Sequence, residues 1–225
     1  MNLTELRLNN IDFVLLDMDG TLLDKYFDDY FWEHLVPERY SAKHNIEFSK
    51  AKKELIKKYK IHEKTLNWTD LDFWSEELRL DIPALKKQIE HLINVHPHVE
   101  NFLKLLKQKK KCVYLVTNAH YKSINLKLKK TMIGKYFDSV LSSFDTGYPK
   151  ETIDFWLEAE KRLGFDKRRT LFIDDTHDNL ITAKQFGIKY ILFKGRSNSK
   201  IDPEKSEEFL YITDFDELID AFLNC

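Results

Sequence analysis

The sequence predicts an α/β fold: a parallel sheet core with helices on both faces and a helical segment inserted after the first strand. Three observations predict it. Short apolar runs recur at 12–17, 112–117, 139–144, 170–175 and 190–193, each of ordinary strand length. Stretches of helical period precede the last four, and strands alternating with helices specify a parallel sheet covered on both sides. Between the first run and the second nothing strand-like occurs, and a plain loop of that length is foreign to compact domains.

Taken in order, DFVLLD (12–17) is a continuous apolar run, the pattern of a strand buried on both faces. Residues 25–95 are rich in Lys, Glu, Tyr, Phe and Trp and read as several helices. The expected division is therefore 1–24 with 96–225 for the core and 25–95 for the helical insert. Inside the insert Phe27, Phe31 and Leu35 recur at helical spacing and form a stripe for packing. Residues 97–109 place Val99, Phe102, Leu103 and Leu106 on one face ahead of CVYLVT (112–117). SVLSSF (139–144) also follows a helix-like stretch, and a helix over 152–163 leads to TLFIDD (170–175). A helix over 176–186 leads to YILF (190–193), with Thr176 as its N-cap and Gly187 as its stop. Phe215, Leu218, Ile219, Phe222 and Leu223 mark a last amphipathic helix. The lysine-rich KQKKK (107–111) and LKLKKT (126–131) read as solvated helix faces and ends.

Composition narrows the function classes. The 225 residues suit one large domain or a core with a sizeable insertion. With 43% hydrophobic and 13% aromatic residues the chain can build a core, which excludes disorder. Lys and Arg number 36 against 37 Asp and Glu, so there is no bias toward nucleic acid or membrane surfaces. No apolar run reaches the roughly 18–20 residues of a membrane helix, and MNLTELRLNNIDF has no apolar stretch of signal-peptide length. The 2 cysteines exclude a disulfide framework or an all-cysteine zinc site. Cys112 opens an apolar run and is expected to be a small buried residue; Cys225 ends the chain and is expected to be unbridged. The expectation is a cytoplasmic monomer or weak homodimer whose partner is a small molecule.

In an open parallel sheet, ligands bind beyond the carboxyl ends of the strands. Those ends carry Asp17-Met18-Asp19-Gly20-Thr21, Thr117-Asn118, Gly147-Tyr148-Pro149-Lys150 and Asp174-Asp175. Clustered carboxylates repel unless a cation or proton compensates. Oxygen ligands without His or Cys favour a hard cation, and Mg²⁺ beside a phosphate is the common case. A divalent cation with Lys150 balances Asp17, Asp174 and Asp175 and leaves a phosphate dianion uncompensated. Asp19 is then more readily pictured protonated, as a general acid must be. Asp-x-Asp-Gly-Thr followed by an aliphatic residue arises by chance in roughly one chain per thousand of this size. Its place after an apolar strand, with the other elements in order, sets aside a reading as mere turn residues.

DMDGT (17–21), Thr117 after an apolar strand, Lys150 and the Asp174-Asp175 pair resemble the four signature motifs of the haloacid dehalogenase-like hydrolase superfamily. FDDYFWEHLVPE (27–38), TLNWTDLDFWSEEL (65–78), GYPKE (147–151) and TLFIDD (170–175) resemble its bacterial GMP/IMP 5′-nucleotidase group. The superfamily's usual order around the lysine is Lys-Pro, where this chain has Pro149-Lys150. The resemblance implies a Rossmann-like core, a helical C1-type cap over 25–95, Mg²⁺ and an aspartyl-phosphate intermediate. By the same resemblance Asp17 is the nucleophile and Asp19 the acid and base, Asp19 also offering its main-chain carbonyl to Mg²⁺. Thr117, aided by the Asn118 backbone N–H, and Lys150 hold the phosphate. Of the acidic pair, Asp175 better matches the residue that touches the metal directly and Asp174 the one that acts through water or Lys150, with the reverse assignment left open.

Most cap aromatics are expected to pack the insert, with Trp32 and Trp68 as candidates for a purine slot. Asp28, Asp29, Asn67 and Asp70 are expected to supply polar edges to it. His96-Pro97-His98 lacks a third ligand nearby and is not read as a metal clip; His120 is a candidate for the cleft wall and His177 for a helix start. The expected activity is hydrolysis of GMP and IMP. The alternatives are a phosphatase for phosphoglycolate or a sugar phosphate and a non-catalytic phospho-receiver-like module. A receiver module would carry its acidic pair early and no large insert.

Overall fold

The computed structural model describes residues 6–223; Cys225 lies outside them. The first strand, β1 (Phe13–Leu16), is followed by helices without a strand: α1 (Tyr26–Tyr30), a π-helical turn (Phe31–Leu35), α2 (Val36–His44), α3 (Phe48–His62), α4 (Leu71–Leu78) and α5 (Ile82–Gln88). The chain then runs α6 (Val99–Gln108), β2 (Cys112–Thr117), α7 (Tyr121–Thr131), β3 (Ser139–Ser142), α8 (Ser143–Thr146) and α9 (Ile153–Leu163). It ends β4 (Thr170–Asp174), α10 (His177–Phe186), β5 (Tyr190–Lys194), β6 (Leu210–Ile212) and α11 (Asp216–Leu223).

The six strands form one parallel sheet in the order β3-β2-β1-β4-β5-β6. The predicted fold class is therefore observed, in the Rossmann-like order whose reversal point flanks β1. Strand alternation supplies two cores. Val14, Leu16, Val113, Leu115, Leu171, Ile173 and Leu192 face one side, where α6, α11 and the insert pack. Leu15, Val116, Phe172, Ile191 and Phe193 face the other, beneath Phe155 and Trp156 of α9 and Leu180 and Phe186 of α10. A period of two with both faces apolar explains why the strands read as unbroken hydrophobic runs.

The insert is tied at its base by two adjacent passages of chain. Leu23 bridges Val95, Asp24 N–H donates to the Asn94 carbonyl at 2.9 Å, and His96 N–H donates to the Leu22 carbonyl at 2.9 Å. Phe27 and Phe31 are fully buried in it, as the helical stripe predicts.

Local details depart from the sequence pattern in four places. Thr176 does precede α10, but its side chain makes no cap; instead its N–H donates to Asp174 Oδ1 at 2.8 Å. Gly187 does close α10 with φ of 105°. Cys112 is half-buried, because the ladder starts at that residue and only later positions are fully covered. β6 is an addition to the expected strands: three residues of mixed burial carry too little period to read. Lys127, within LKLKKT, is not solvated as expected but buried on the inner stripe of α7 with Ser123 and Ile124. No helix among the described residues is long and apolar enough to cross a membrane.

Candidate active site

The loop after β1 brings the predicted residues together. Asp17 N–H donates to the Ile173 carbonyl at 3.0 Å, which carries the β1–β4 ladder one residue past the strand. The chain then folds back: Leu23 N–H reaches the Met18 carbonyl at 2.8 Å and Gly20 N–H the Leu23 carbonyl at 2.7 Å. Gly20 is needed twice over. Its φ is +90°, and a Cβ there would stand 2.2 Å from Asp175 Oδ2.

Asp17, Asp174 and Asp175 each offer an oxygen within 4.8 Å of the others. Lys150, 1% exposed, bonds Asp17 Oδ1 directly and Asp174 Oδ2 at 2.7 Å. Asn179 Nδ2 donates to both Asp174 oxygens at 3.1 Å, and Lys25 stands 3.7 Å from Asp175. Burial pushes the Asp17 carboxyl well above its ordinary value, and the neighbouring carboxylates add to that against the pull of Lys150. Burial likewise pushes Asp175 up to about 6. For Lys150 burial favours the neutral amine, but Asp17 and Asp174 outweigh it and raise its pKa. Three carboxylates, two sharing Lys150 and the third near the half-exposed Lys25, remain short of positive charge. All donors are oxygen, and the Gly20 backbone packs against Asp175 where a side chain would intrude. That donor set fits a hard divalent cation.

Thr117 ends β2, 2% exposed, with Oγ1 accepting from Ala119 N–H at 3.1 Å. Asn118 positions the lysine loop: its Oδ1 accepts from Lys150 N–H at 2.9 Å and its Nδ2 donates to Glu151 at 2.9 Å. The Asp19 side chain does not join the carboxylate cluster; its Oδ1 lies 2.6 Å from Lys127 Nζ. Burial raises the Asp19 carboxyl and Lys127 opposes that shift.

A cavity of about 650 Å³ runs from these groups into the insert, lined at its far side by Trp32, Tyr59, Trp68 and Trp74. Tyr59 meets Trp32, Trp68 and Trp74 edge-on at centroid distances of 5.6, 6.3 and 5.1 Å. Its hydroxyl is buried without a hydrogen-bond partner among the described residues. Trp32 and Trp68 thus line the cavity, whereas the expected polar edges are mostly engaged. Asp28 pairs with Lys86 and Lys127, Asp29 accepts from Asn198 at 2.7 Å, and Asp70 caps α4 through Asp72 N–H and Phe73 N–H. Thr69 donates to the Asn118 carbonyl at 2.5 Å, tying the insert to the end of β2.

His120 lines the cavity, and its ring packs on Tyr121 and Phe144. His177 begins α10 and stacks on Phe193 at 4.3 Å. His96 is buried against the Ser197 carbonyl at 3.1 Å, and burial lowers its pKa to about 4. Sequence reasoning missed Lys25, Tyr59, Lys86, Lys127 and Asn179. Only the Asn179 position, one turn into the helix after the acidic pair, carried a local signal.

Carboxylates from two neighbouring strand ends, a buried lysine between them and a cavity over the loops define a hydrolase of the kind the motifs resemble. A model of the haloacid dehalogenase-like hydrolase family matches residues 11–187. The chain belongs to that family. It is 38% identical over 214 residues to the GMP/IMP nucleotidase YrfG of Escherichia coli K12, covering 95% of this chain and 96% of that one. It is 28% identical over 127 residues to the probable phosphatase IndB of Dickeya dadantii, covering 56% and 55%. In structure it is similar to a HAD phosphatase from Thermococcus onnurineus, with a TM-score of 0.81 at 23% identity over 93% of this chain and 97% of that one. That last likeness concerns the fold. The chain is a hydrolase, the expected phosphatase class is supported, and the receiver-module alternative is set aside.

Proposed function

We propose that this chain is a Mg²⁺-dependent phosphatase of purine nucleoside 5′-monophosphates, with GMP and IMP preferred. The observation that carries the reading is the single cavity joining Asp17 and Lys150 at one end to four aromatic rings in the insert at the other. Its volume lies in the usual range for a small-molecule site. The 38% identical GMP/IMP nucleotidase supports the choice of purine.

Asp17 attacks phosphorus as the bond to the 5′-oxygen breaks, and Asp19 gives its proton to that oxygen. Water then attacks the aspartyl phosphate, Asp19 takes the water's proton, and Asp17 and phosphate are released. Lys150 and Thr117 with the Asn118 N–H neutralise and orient the phosphoryl oxygens. Asp17, Asp174, Asp175 and the Asp19 carbonyl would hold Mg²⁺, which supplies compensation for charge on the phosphoryl group. The aromatic wall takes the base.

Two expected outcomes test this. On a panel of monophosphates, GMP and IMP should show higher kcat/KM than AMP, pyrimidine nucleotides, hexose phosphates or phosphoglycolate. A best substrate outside the 6-oxopurines removes the nucleotide reading and leaves the phosphatase class.

The second concerns the cation. EDTA should abolish activity, and added Mg²⁺ should raise Tm. The rise should be greater near pH 7.5 than near pH 5. Because burial raises Asp175 to about 6, the folded protein binds a proton there that the unfolded chain has already lost. Ionisation therefore destabilises the cation-free fold as pH climbs from about 4 through about 6, and below about 6 a proton on folded Asp175 competes with the cation. A Tm indifferent to Mg²⁺ at both pH values counts against this donor set.

A further inference from the structure

We propose that Lys127 is a positioning residue for Asp19, clamped in turn by Asp28 and Lys86 of the helical insert, so that the acid is correctly presented only while the insert sits on the core. The proposal rests on the reading of Asp19 as acid and base.

Four side chains of alternating sign form an unbroken chain. Lys127 Nζ lies 2.6 Å from Asp19 Oδ1 and 2.6 Å from Asp28 Oδ2. The other Asp28 oxygen lies 2.6 Å from Lys86 Nζ. Both lysine side chains are only 2% exposed. Their ammonium groups are enclosed by rings: Lys86 lies 4.8, 4.6 and 5.7 Å from the centres of Phe27, Phe31 and Trp32, and Lys127 lies 5.2 Å from Phe27.

The origins of the four residues decide what the chain does. Asp19 follows β1 and Lys127 stands on α7, so both belong to the sheet side of the molecule. Asp28 on α1 and Lys86 on α5 belong to the insert. The Lys127–Asp28 contact is thus a bond between insert and core made next to the reacting groups. Lifting the insert would strip Lys127 of its second partner and leave Asp19 its sole anion.

Fold stability alone does not account for this arrangement. Position 127 lies on the buried stripe of α7, where an apolar residue would pack without desolvating a charge. Buried ion chains are often replaceable by apolar residues at no loss of stability. A carboxylate that must meet both a leaving oxygen and a water, by contrast, gains from a fixed orientation, since a displacement of about 1 Å can cost on the order of 100-fold in rate. The ion pair engages the buried Oδ1, which makes no hydrogen bond to any described residue, and Asp19 lines the cavity with Asp17 and Lys150.

The test compares Lys127→Met, Lys127→Arg and Lys86→Met with the wild type on an alkyl phosphate, GMP first, and on an aryl phosphate with a good leaving group. Lys127→Met should lower kcat on the alkyl ester by about 100-fold with KM within about threefold, and the aryl ester by much less. Lys127→Arg should recover part of the loss, and Lys86→Met should lose about 10-fold in the same pattern. Equal losses on both esters, or a fall in Tm with kcat unchanged, overturn the proposal. Should Lys127→Met fail to fold, Lys86→Met decides the matter by the same comparison of esters. If the wild type ignores nucleotides but cleaves another alkyl phosphate, the nucleotide reading falls and the comparison proceeds on that ester. If Asp19→Asn shows no dependence on the leaving group, the acid reading falls and this proposal with it.

Discussion

Asp17→Asn is expected to abolish turnover, with a loss on the order of 10⁴-fold or more on every phosphate monoester and no phosphoenzyme trapped by rapid acid quench. The amide keeps the shape of the carboxylate but offers no anionic oxygen to attack phosphorus. It also changes the surroundings in a known direction. Lys150 would lose one of its two carboxylate partners and keep Asp174 at 2.7 Å. Burial, which holds the Asp17 carboxyl above its ordinary value, would no longer act against a charge at this position. The cation-free variant should therefore unfold no earlier than the wild type at neutral pH, although it is dead. That combination separates the loss of a nucleophile from the loss of a fold. A variant retaining a tenth of wild-type kcat, or one forming an acid-stable phosphoenzyme, would show that another group takes the phosphoryl unit.

The proposed catalytic residues and the cavity residues differ in how far the sequence exposes them. Asp17, Asp19, Thr117, Lys150, Asp174 and Asp175 are legible because each closes or follows an apolar run, and parallel strands deliver their carboxyl ends to one edge. Register does the rest: Leu16 pairs with both Leu115 and Ile173, so residues just past the three strands arrive side by side. The aromatic wall is half legible. Trp32 and Trp68 can be named, but Tyr59 lies on a lysine-rich helix, and only its packing against three tryptophans reveals it. Lys127 is concealed because neighbouring lysines make LKLKKT look solvated. What buries it is Asp28, 99 residues away, a relation that no local period encodes. The same long-range pairing explains why Asp28 is no free edge for a base. Lys127 and Lys86 overcome the cost of its burial and hold its carboxyl well below the ordinary range.

Asp19→Asn is expected to lose on the order of 10³-fold in kcat on GMP but only about 10-fold on an aryl phosphate, whose leaving oxygen needs little protonation. A 5′-alkoxide is a poor leaving group, so bond breaking stalls unless a proton arrives with it. Asparagine cannot supply that proton, although the main-chain carbonyl at position 19 is unchanged and the stabilisation by Mg²⁺ should persist. The second half-reaction is affected on both substrates, because the amide cannot take the proton of the attacking water. Phosphoenzyme should therefore accumulate from the aryl ester, where the first step remains fast, and not from GMP, where it does not. Rapid quench with ³²P-labelled esters reads both quantities. Equal losses on the two substrates with no accumulation would assign Asp19 to binding, leaving its ion pair with Lys127 a purely structural contact.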